Sequence, residues 1–464
     1  MTDLERIEQY ITDHASQHEE DLKTLLRIPS VSTKSDHKQY MTQCVDELRN
    51  QFHNIGIDDI RVIETPGHDA VFAQSEQRPD RPTVLFYGHY DVQPEEPLEE
   101  WKSDPFEPEI RDGKIYARGT SDDKGQFYVH LKAAEAYTKL GLDFPVNYKF
   151  IIEGEEELGS PHLYEVIKNN VDLLQCDVLV VSDTVKYSAE LPGILYGMRG
   201  ITYLEVDFQG CDIDLHSGIY GGTVPNPATE LCKVIAKLID DDGHITIPGF
   251  YDKVRTLSQE ERDAWAALPF DDEEYRKSIG APQLCGEKGF TTTERRWARP
   301  TFDVNGIWGG YIGEGAKTVL PASAHAKISC RLVPYQDYFE CAQMLKDEIL
   351  RLTPPTIRAS VSLHHGGYPW ITDYKHPINE AARRAYRRAW KVEPVLMCEG
   401  GSVAIVNGFC KELHCPAIMM GVGLDTDNIH APNECLTLSD FHAGIAASAF
   451  LVHELAELKT WPKE

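Results

Sequence analysis

The residues best placed to do chemistry first appear in residues 84–93, where His89 and Asp91 follow a run of apolar side chains. The apolar run predicts a buried strand, and Gly88 lets the chain turn as it leaves the sheet. An imidazole that binds a metal usually has its second ring nitrogen held by a carboxylate or a carbonyl. His89 and Asp91 can therefore supply a metal ligand, or a ligand together with its support. A structural histidine at a strand end is an equally good interpretation of this pair alone.

The same arrangement recurs along the chain, because other predicted strands and tight turns also end in acidic residues or histidine. The set comprises His89, Asp91, Asp122, Glu156, Glu157, Asp183 and His430. Carboxylates crowded into a dry cleft repel one another, and divalent cations remove that cost. Mixed histidine and carboxylate ligands without thiolates suit Zn²⁺, Mn²⁺ or Co²⁺. Two histidines, three carboxylates and a spare glutamate fit a two-metal hydrolase, in which one carboxylate bridges the ions and the glutamate acts on a metal-bound water.

The elements that position these residues alternate between strands and helices. Short apolar runs predict strands at 60–64, 70–73, 84–88, 148–153 and 178–181, and helical periodicity appears at 1–27, 40–55 and 126–140. This alternation predicts an α/β fold with a mixed, mainly parallel sheet flanked by helices. Ligands bind such sheets at the carboxyl ends of the strands, which is where the candidate residues lie.

The pattern changes after Gly200. Residues 201–208, 324–332 and 359–364 alternate like half-exposed strands, with a helix near 336–352, while residues 241–300 are charged and irregular and indicate an insertion. We expect a smaller α+β domain over 201–370, inserted into a discontinuous domain formed by 1–200 and 371–464. Two domains also agree with a chain of 464 residues, which is too long for one compact core.

Composition excludes several classes of protein. The formal net charge of −28 disfavours a nucleic-acid or anionic-membrane partner. The amino terminus lacks an apolar signal core, and no apolar run approaches the roughly 20 residues of a membrane span. Eleven cysteines without a Cys-x-x-Cys pair suggest no secretory disulfide framework. We therefore expect a reduced, cytoplasmic protein.

Taken together, the motifs resemble those of a known family. They are GHYDVQP, RGTSDDKGQ, EGEEELGS, DLHSGIYGG, SCRLVP, EGGSVAI and IHAPNE. They are similar to the di-zinc amidohydrolase family of carnosinase, aminoacylase, glutamate carboxypeptidase and succinyl-diaminopimelate desuccinylase, from about residue 20 to the carboxyl terminus. DLHSGIYGG and the long insertion are most similar to the branch of carnosinase and cytosolic nonspecific dipeptidase. The resemblance implies a di-zinc exopeptidase fold and metal-dependent hydrolysis of dipeptides that have a free C-terminal carboxylate.

The resemblance also implies a role for each residue at the strand ends. His89 and Asp183 bind one ion, Glu157 and His430 bind the second, and Asp122, in a cis peptide with Asp123, bridges both. Asp91 orients His89. Glu156 is the general base, which takes a proton from the bridging water and passes it to the leaving amine.

The smaller domain contributes substrate and partner contacts in this resemblance. His216 would stabilise the oxyanion in a partner subunit's active site, which implies a homodimer through this lid domain, although a lone loop histidine is more often solvated or a turn residue. Thr318, Arg331, His365 and Ser402 resemble the residues that bind the substrate carboxylate. Arg331 lies in an apolar stretch, so a buried structural ion pair is the alternative for it.

The sequence also has to be weighed against other functions. An N-acyl-amino-acid deacylase or a small-peptide carboxypeptidase on the same scaffold is the nearest alternative enzyme. A catalytically silent binding protein is the alternative from another class, and the presence of Glu156 and of all five expected ligands disfavours it. Residues 310–318 resemble a phosphate loop, but Ala316 separates Gly315 from Lys317, whereas a phosphate loop places lysine directly after the glycine.

Overall fold

The computed structural model describes residues 1–401 and 403–458, and the chain divides into two compact units. Unit 1 comprises Met1–Tyr196, Thr372–Met397 and Ile405–Glu464, and unit 2 comprises Gly197–Ile371 and Cys398–Ala404. These limits differ from the expected ones mainly around Glu399 and Gly400, which belong to unit 2. The reason is local, because the Arg199 side chain donates to the carbonyl of Gly400 and the Arg199 amide donates to the carbonyl of Glu399.

The elements follow one another in three stretches of the chain. The first stretch contains α1 (Asp3–Asp13), α2 (Ala15–Leu26), α3 (Lys38–Asn54), β1 (Asp59–Ile63), β2 (Ala70–Gln74), β3 (Thr83–His89), β4 (Glu109–Arg111), β5 (Lys114–Tyr116), α4 (Lys124–Lys139), β6 (Asn147–Glu153), α5 (Leu163–Asn169), α6 (Val171–Leu174), β7 (Val178–Val181) and β8 (Gly193–Met198). The second contains β9 (Gly200–Gln209), β10 (Leu215–His216), α7 (Ser217–Tyr220), α8 (Pro227–Ile235), α9 (Gln259–Ala266), α10 (Asp272–Ser278), α11 (Thr292–Ala298), β11 (Asp303–Gly309), β12 (Val319–Leu320), β13 (Ser323–Leu332), α12 (Tyr338–Leu352), β14 (Arg358–Gly367) and β15 (Trp370–Ile371). The third contains α13 (Pro377–Trp390), β16 (Val395–Glu399), α14 (Ala404–Leu413), β17 (Ala417–Met419), β18 (Cys435–Thr437) and α15 (Leu438–Ala456).

Unit 1 is built on a large mixed sheet in which β1, β2, β6, β3, β7, β17 and β8 lie side by side in that order. Its centre is parallel, since β3 pairs in parallel with β6 and β7, and β17 pairs in parallel with β7. The outer strands are antiparallel. The predicted α/β class is therefore confirmed, and the carboxyl ends of β3, β6 and β7 meet at one edge.

The centre of this sheet is fixed by dense apolar packing. Almost every residue of β3, β6 and β7 is buried, as expected for strands covered on both faces. Phe86 of β3 stacks on Phe150 and Tyr148 of β6, with ring centroids 5.2 Å and 5.5 Å apart. Helix α4 is buried over most of its length and packs against β3 and α15. A rigid centre of this kind holds the strand ends, and the side chains that follow them, in fixed positions.

Unit 2 contains a four-stranded antiparallel sheet in the order β11, β13, β9, β14. Along β9, residues alternate between buried and half-buried, and the buried face packs with α8 and α12 in a second apolar core. Residues 310–318, which resemble a phosphate loop, form the connection between β11 and β12 and do not join a strand to a helix. No helix in the described part of the chain is long and apolar enough to cross a membrane.

The segment at 241–300 is less irregular than expected, because it contains the short helices α9, α10 and α11. Two of these helices begin with capping boxes, in which Ser258 and Glu261, and likewise Thr291 and Glu294, satisfy each other's backbone amides. Such short helices depend on caps and not on a long apolar stripe, so hydrophobic periodicity did not identify them.

Candidate metal centre

His89 is the last residue of β3, and its buried side chain faces two carboxylates. Its Nε2 atom lies 3.0 Å from Oδ1 of Asp122 and 3.9 Å from Oδ2 of Asp183. Asp122 precedes α4, and Asp183 follows β7 by two residues. Three elements of unit 1 thus bring one imidazole nitrogen and two carboxylate oxygens into a group that could hold a metal ion.

A second group of three forms around the other oxygen of Asp122. Oδ2 of Asp122 lies 2.8 Å from Nε2 of His430, and that nitrogen lies 3.3 Å from Oε2 of Glu157. Glu157 lies in a short 3-10 turn that follows β6. Both groups belong to unit 1, and Asp122 is common to them, with one oxygen directed to each. The structure therefore brings together the five residues predicted as metal ligands. The peptide bond between Asp122 and Asp123 is cis, as the resemblance implied.

Asp91 supports both groups from behind. Nδ1 of His89 lies 3.3 Å from the Asp91 carboxylate and 3.0 Å from the Asp91 carbonyl oxygen. The same carboxylate accepts the backbone amides of Glu156, at 3.2 Å, and Glu157, at 3.1 Å. One fully buried side chain therefore fixes the orientation of the histidine and of the turn that carries both glutamates.

The buried carboxylates of the site favour the binding of additional positive charge. Burial and the charge of Asp122 raise the pKa of the Asp183 carboxyl well above its ordinary value. Burial, opposed by His89 and reinforced by the charges of Asp122 and Glu157, raises the pKa of Glu156 to about 8. Burial opposes ionisation of Asp122 as well, but hydrogen bonds with His430 and His89 lower its pKa.

The donor set fits a pair of divalent cations. Oε1 of Glu157 is buried and has no hydrogen-bond partner in the described part of the chain, which leaves a lone pair directed at no protein donor. Oxygen and imidazole nitrogen atoms without thiolates are the ligands of Zn²⁺, Mn²⁺ and Co²⁺ sites. In such a site, His89, Asp122 and Asp183 would hold one ion, and Asp122, Glu157 and His430 would hold the other.

The other predicted residues belong to unit 2. His216 is exposed, lies on β10 opposite Val319 of β12, and is followed by Ser217, whose amide donates to the carbonyl of Thr318. The predicted residues His216 and Thr318 are thus neighbours. Ser402 lies outside the described residues.

Arg331 and His365 occupy one face of the unit 2 sheet. Arg331 pairs with Ile201 of β9, and His365 pairs with Tyr203, two residues further along the same strand. Residues two apart on a strand point to the same side. Burial, and then the charges of His364 and Arg331, lower the pKa of His365.

Sequence reasoning missed several residues that contact the site. Gln93 donates from Nε2 to Oε2 of Glu157 at 2.7 Å, and Asp123 accepts the His89 amide at 3.2 Å. Glu434 accepts the amide of Asp122 at 3.1 Å. Gln93 and Glu434 both lie within motifs that carried the resemblance, so position in a motif was the available signal.

Comparison with known proteins agrees with this geometry. Residues 85–454 match Peptidase family M20/M25/M40. The chain belongs to this family. It is 31% identical to the Cys-Gly metallodipeptidase dug1 of Schizosaccharomyces pombe, over 98% of this chain and 99% of that protein.

Two solved structures are similar to this chain over almost its whole length. Human carnosine dipeptidase 1 superposes with a TM-score of 0.77 and 31% identity, over 98% of this chain and 99% of that one. The M20 family metallo-carboxypeptidase Sso-CP2 of Sulfolobus solfataricus has a TM-score of 0.83 and 30% identity, over 95% and 99%. The resemblance to the carnosinase branch and the assignment as a metal-dependent peptidase are confirmed.

The shared position of Asp122 makes a direct prediction. Asp122→Ala should bind fewer than two Zn²⁺ ions per chain after dialysis, because both groups lose an oxygen donor, and elemental analysis of the purified protein measures this. Asp440→Ala is the matched control, since it removes a buried carboxylate that pairs with Lys186, outside the two ligand groups. Two ions per chain in Asp122→Ala would show that Asp122 does not bridge.

Proposed function

We propose that this protein is a dipeptidase that hydrolyses the amide bond of dipeptides with a free C-terminal carboxylate, using two divalent metal ions per subunit. The observation that carries the proposal is the Asp122 carboxylate, which directs one oxygen to each group of candidate ligands. The Cys-Gly metallodipeptidase and the carnosine dipeptidase to which the chain is similar support a dipeptide substrate. Zn²⁺ fits the donor set best, and Mn²⁺ and Co²⁺ also fit it.

We place the protein in the cytoplasm, with neither nucleic acid nor membrane as a partner. The net charge of −28 would repel polyanions and anionic lipid surfaces. None of the eleven cysteines, all of which lie in the described part of the chain, forms a disulfide bond, which suits a reducing compartment.

Two ions held by His89, Asp122, Asp183, Glu157 and His430 would polarise the scissile carbonyl and lower the pKa of a water molecule. Glu156 takes a proton from that water, whose oxygen forms a bond to the carbonyl carbon. The carbon–nitrogen bond then breaks, and Glu156 returns the proton to the leaving amine. The backbone of Glu156 is held by Asp91 at 3.2 Å, so the base has a fixed main-chain position. Asp91 also orients His89, which keeps the ligand set in place.

The selectivity for a free carboxylate rests on unit 2. Arg331 and His365 share one face of the sheet, and we propose that they bind the substrate carboxylate together with Thr318 and Ser402. A planar guanidinium is the side chain best suited to bind a carboxylate through two hydrogen bonds. In this role Arg331 binds the substrate and does not form a structural ion pair.

The same unit is proposed to form a homodimer. His216 is flanked by the exposed apolar side chains of Ile213 and Ile219, and the edge strand β11 exposes Ile307 and Trp308. Exposed apolar side chains beside an open sheet edge favour association with another chain. In a two-fold dimer, His216 of each subunit would stabilise the oxyanion in the active site of the other.

A second candidate activity is supported by the similarity to the metallo-carboxypeptidase Sso-CP2. A small-peptide carboxypeptidase or an N-acyl-amino-acid deacylase would use the same metal groups and the same carboxylate-binding residues. These activities differ from dipeptide hydrolysis in the group on the amino-terminal side of the scissile bond. A panel of dipeptides, longer peptides and N-acyl-amino acids, with Zn²⁺ and Mn²⁺ supplied separately, distinguishes them, and we expect the highest kcat/KM for dipeptides.

The carboxylate assignment predicts a strong effect of capping the substrate. The C-terminal amide of Cys-Gly should show a kcat/KM lower by about 10-fold or more than Cys-Gly itself, because leaving a charge-binding group unpaired in the closed complex costs about 1–3 kcal/mol. In Arg331→Gln this preference should shrink. Arg351→Gln serves as the control, since Arg351 pairs with Glu348 on α12. Equal kcat/KM for the acid and the amide in the unmodified protein would rule out the assignment.

The roles of Glu156 and His216 predict complementation between subunits. Glu156→Gln and His216→Ala should each lower kcat by about 10²-fold or more, because one loses the base and the other the oxyanion donor. Glu155→Gln is the control for the first change, since Glu155 binds His162. In a mixed dimer, one site has an intact Glu156 and the partner's intact His216, and the other has neither.

An equimolar mixture of the two variants should therefore recover about a quarter of the unmodified activity after random subunit exchange, which native mass spectrometry verifies. If verified mixed dimers recover no activity, His216 does not act across the dimer.

A further inference from the structure

The motif IHAPNE ends in a glutamate to which neither ligand group assigns a role. The Glu434 side chain is fully buried, and its carboxylate accepts four hydrogen bonds. Oε1 accepts the backbone amides of Ser121, at 2.8 Å, and Asp122, at 3.1 Å. Oε2 accepts the amide of Gly119, at 2.9 Å, and Nη1 of Arg118, at 2.8 Å. Each oxygen therefore has two donors, and the charge of Glu434 is balanced by a guanidinium that is itself buried.

These contacts join two segments that are more than 300 residues apart in sequence. Four of the five residues at 118–122, all except Thr120, donate hydrogen bonds to this side chain, which lies four positions after His430. Asp427 reinforces the connection, because its Oδ2 atom accepts the Ser121 hydroxyl and the Leu424 amide. The loop carrying the shared carboxylate and the segment carrying His430 thus have a common buried anchor.

We propose that Glu434 is a positioning residue of the metal centre, which fixes the main chain at Ser121 and Asp122 so that one oxygen of Asp122 is directed to each ligand group. This inference rests on the proposed two-metal function. Oδ2 of Asp122 lies 2.8 Å from His430, so a small rotation of the Asp122 backbone would separate the two groups. The carboxylate is required and not only its volume, because all four contacts are donations to oxygen.

Replacement by glutamine isolates this requirement. In Glu434→Gln the side chain keeps its size, but one of its two oxygens becomes an amide nitrogen, which cannot accept a hydrogen bond. In either orientation of the glutamine amide, two of the four hydrogen-bond donors would face its nitrogen, which is itself a donor. In one orientation these two donors are the backbone amides of Ser121 and Asp122. Changes to the hydrogen-bond partners behind metal ligands typically reduce metal affinity about 10–100-fold. We expect a fall of that size in the affinity for Zn²⁺.

The experiment is a Zn²⁺ titration of the metal-free full-length chain by calorimetry in the presence of a competing chelator, with thermal unfolding recorded for the same samples. Glu294→Gln is the matched control. Glu294 is also a buried glutamate, in unit 2, that accepts from an arginine, Arg262, and from a backbone amide, that of Thr291. Both variants should unfold at lower temperature, but only Glu434→Gln should lose Zn²⁺ affinity.

The outcomes are distinguishable. If the unmodified chain binds two Zn²⁺ ions and Glu434→Gln binds both with the same affinity, Glu434 is only a structural residue. If the unmodified chain binds fewer than two ions, the two-metal function fails and this inference fails with it. If Glu434→Gln does not fold, Glu434→Asp is used, which keeps the charge but shortens the side chain by one methylene. It should weaken Zn²⁺ binding by several-fold, and unchanged affinity would again refute the proposal.

Discussion

The main physical constraint on unit 1 is the repulsion among the carboxylates that its sheet brings to one edge. Asp122, Asp183 and Glu157 are held by elements that leave the sheet at neighbouring positions, and their side chains are buried or nearly so. The raised pKa of Asp183, caused first by burial and then by the charge of Asp122, expresses this crowding. Two divalent cations would remove the repulsion and use the same oxygens as ligands. The crowding that destabilises the metal-free site therefore favours metal binding.

The crowded carboxylates keep their positions only if other residues fix the main chain and side chains of the ligands. Asp91 binds His89 and the backbone of the turn with Glu156 and Glu157, while Glu434 binds the loop that ends in Asp122. Both supports are fully buried carboxylates that accept backbone amides. The rigid centre of the sheet positions the strand ends, and these two carboxylates set the finer orientation of the ligands.

Much of the fold and of the site could be predicted from the sequence, because short buried strands have a strong apolar signal. The strand at 178–181 was predicted with its observed limits, and His89, Glu157 and Asp183 follow strands of this kind. Helices α9, α10 and α11 were missed because they are only seven or eight residues long and begin with side-chain caps, which leave little hydrophobic periodicity. Glu434 was missed for another reason. Its position in the motif IHAPNE marked it, but its partners are backbone amides distant in sequence, so residue types alone did not indicate its role.

The central claim is that Asp122 is shared by two metal ions, and its most direct test is anomalous X-ray diffraction from crystals of the Zn²⁺-loaded protein, recorded at the zinc absorption edge. The structure predicts two anomalous peaks per chain, one on each side of the Asp122 carboxylate. One peak should be within coordination distance of His89 and Asp183, and the other within coordination distance of Glu157 and His430. For nitrogen and oxygen ligands of zinc this distance is about 2.0–2.2 Å. A single peak, or two peaks of which one does not contact Asp122, would contradict the account.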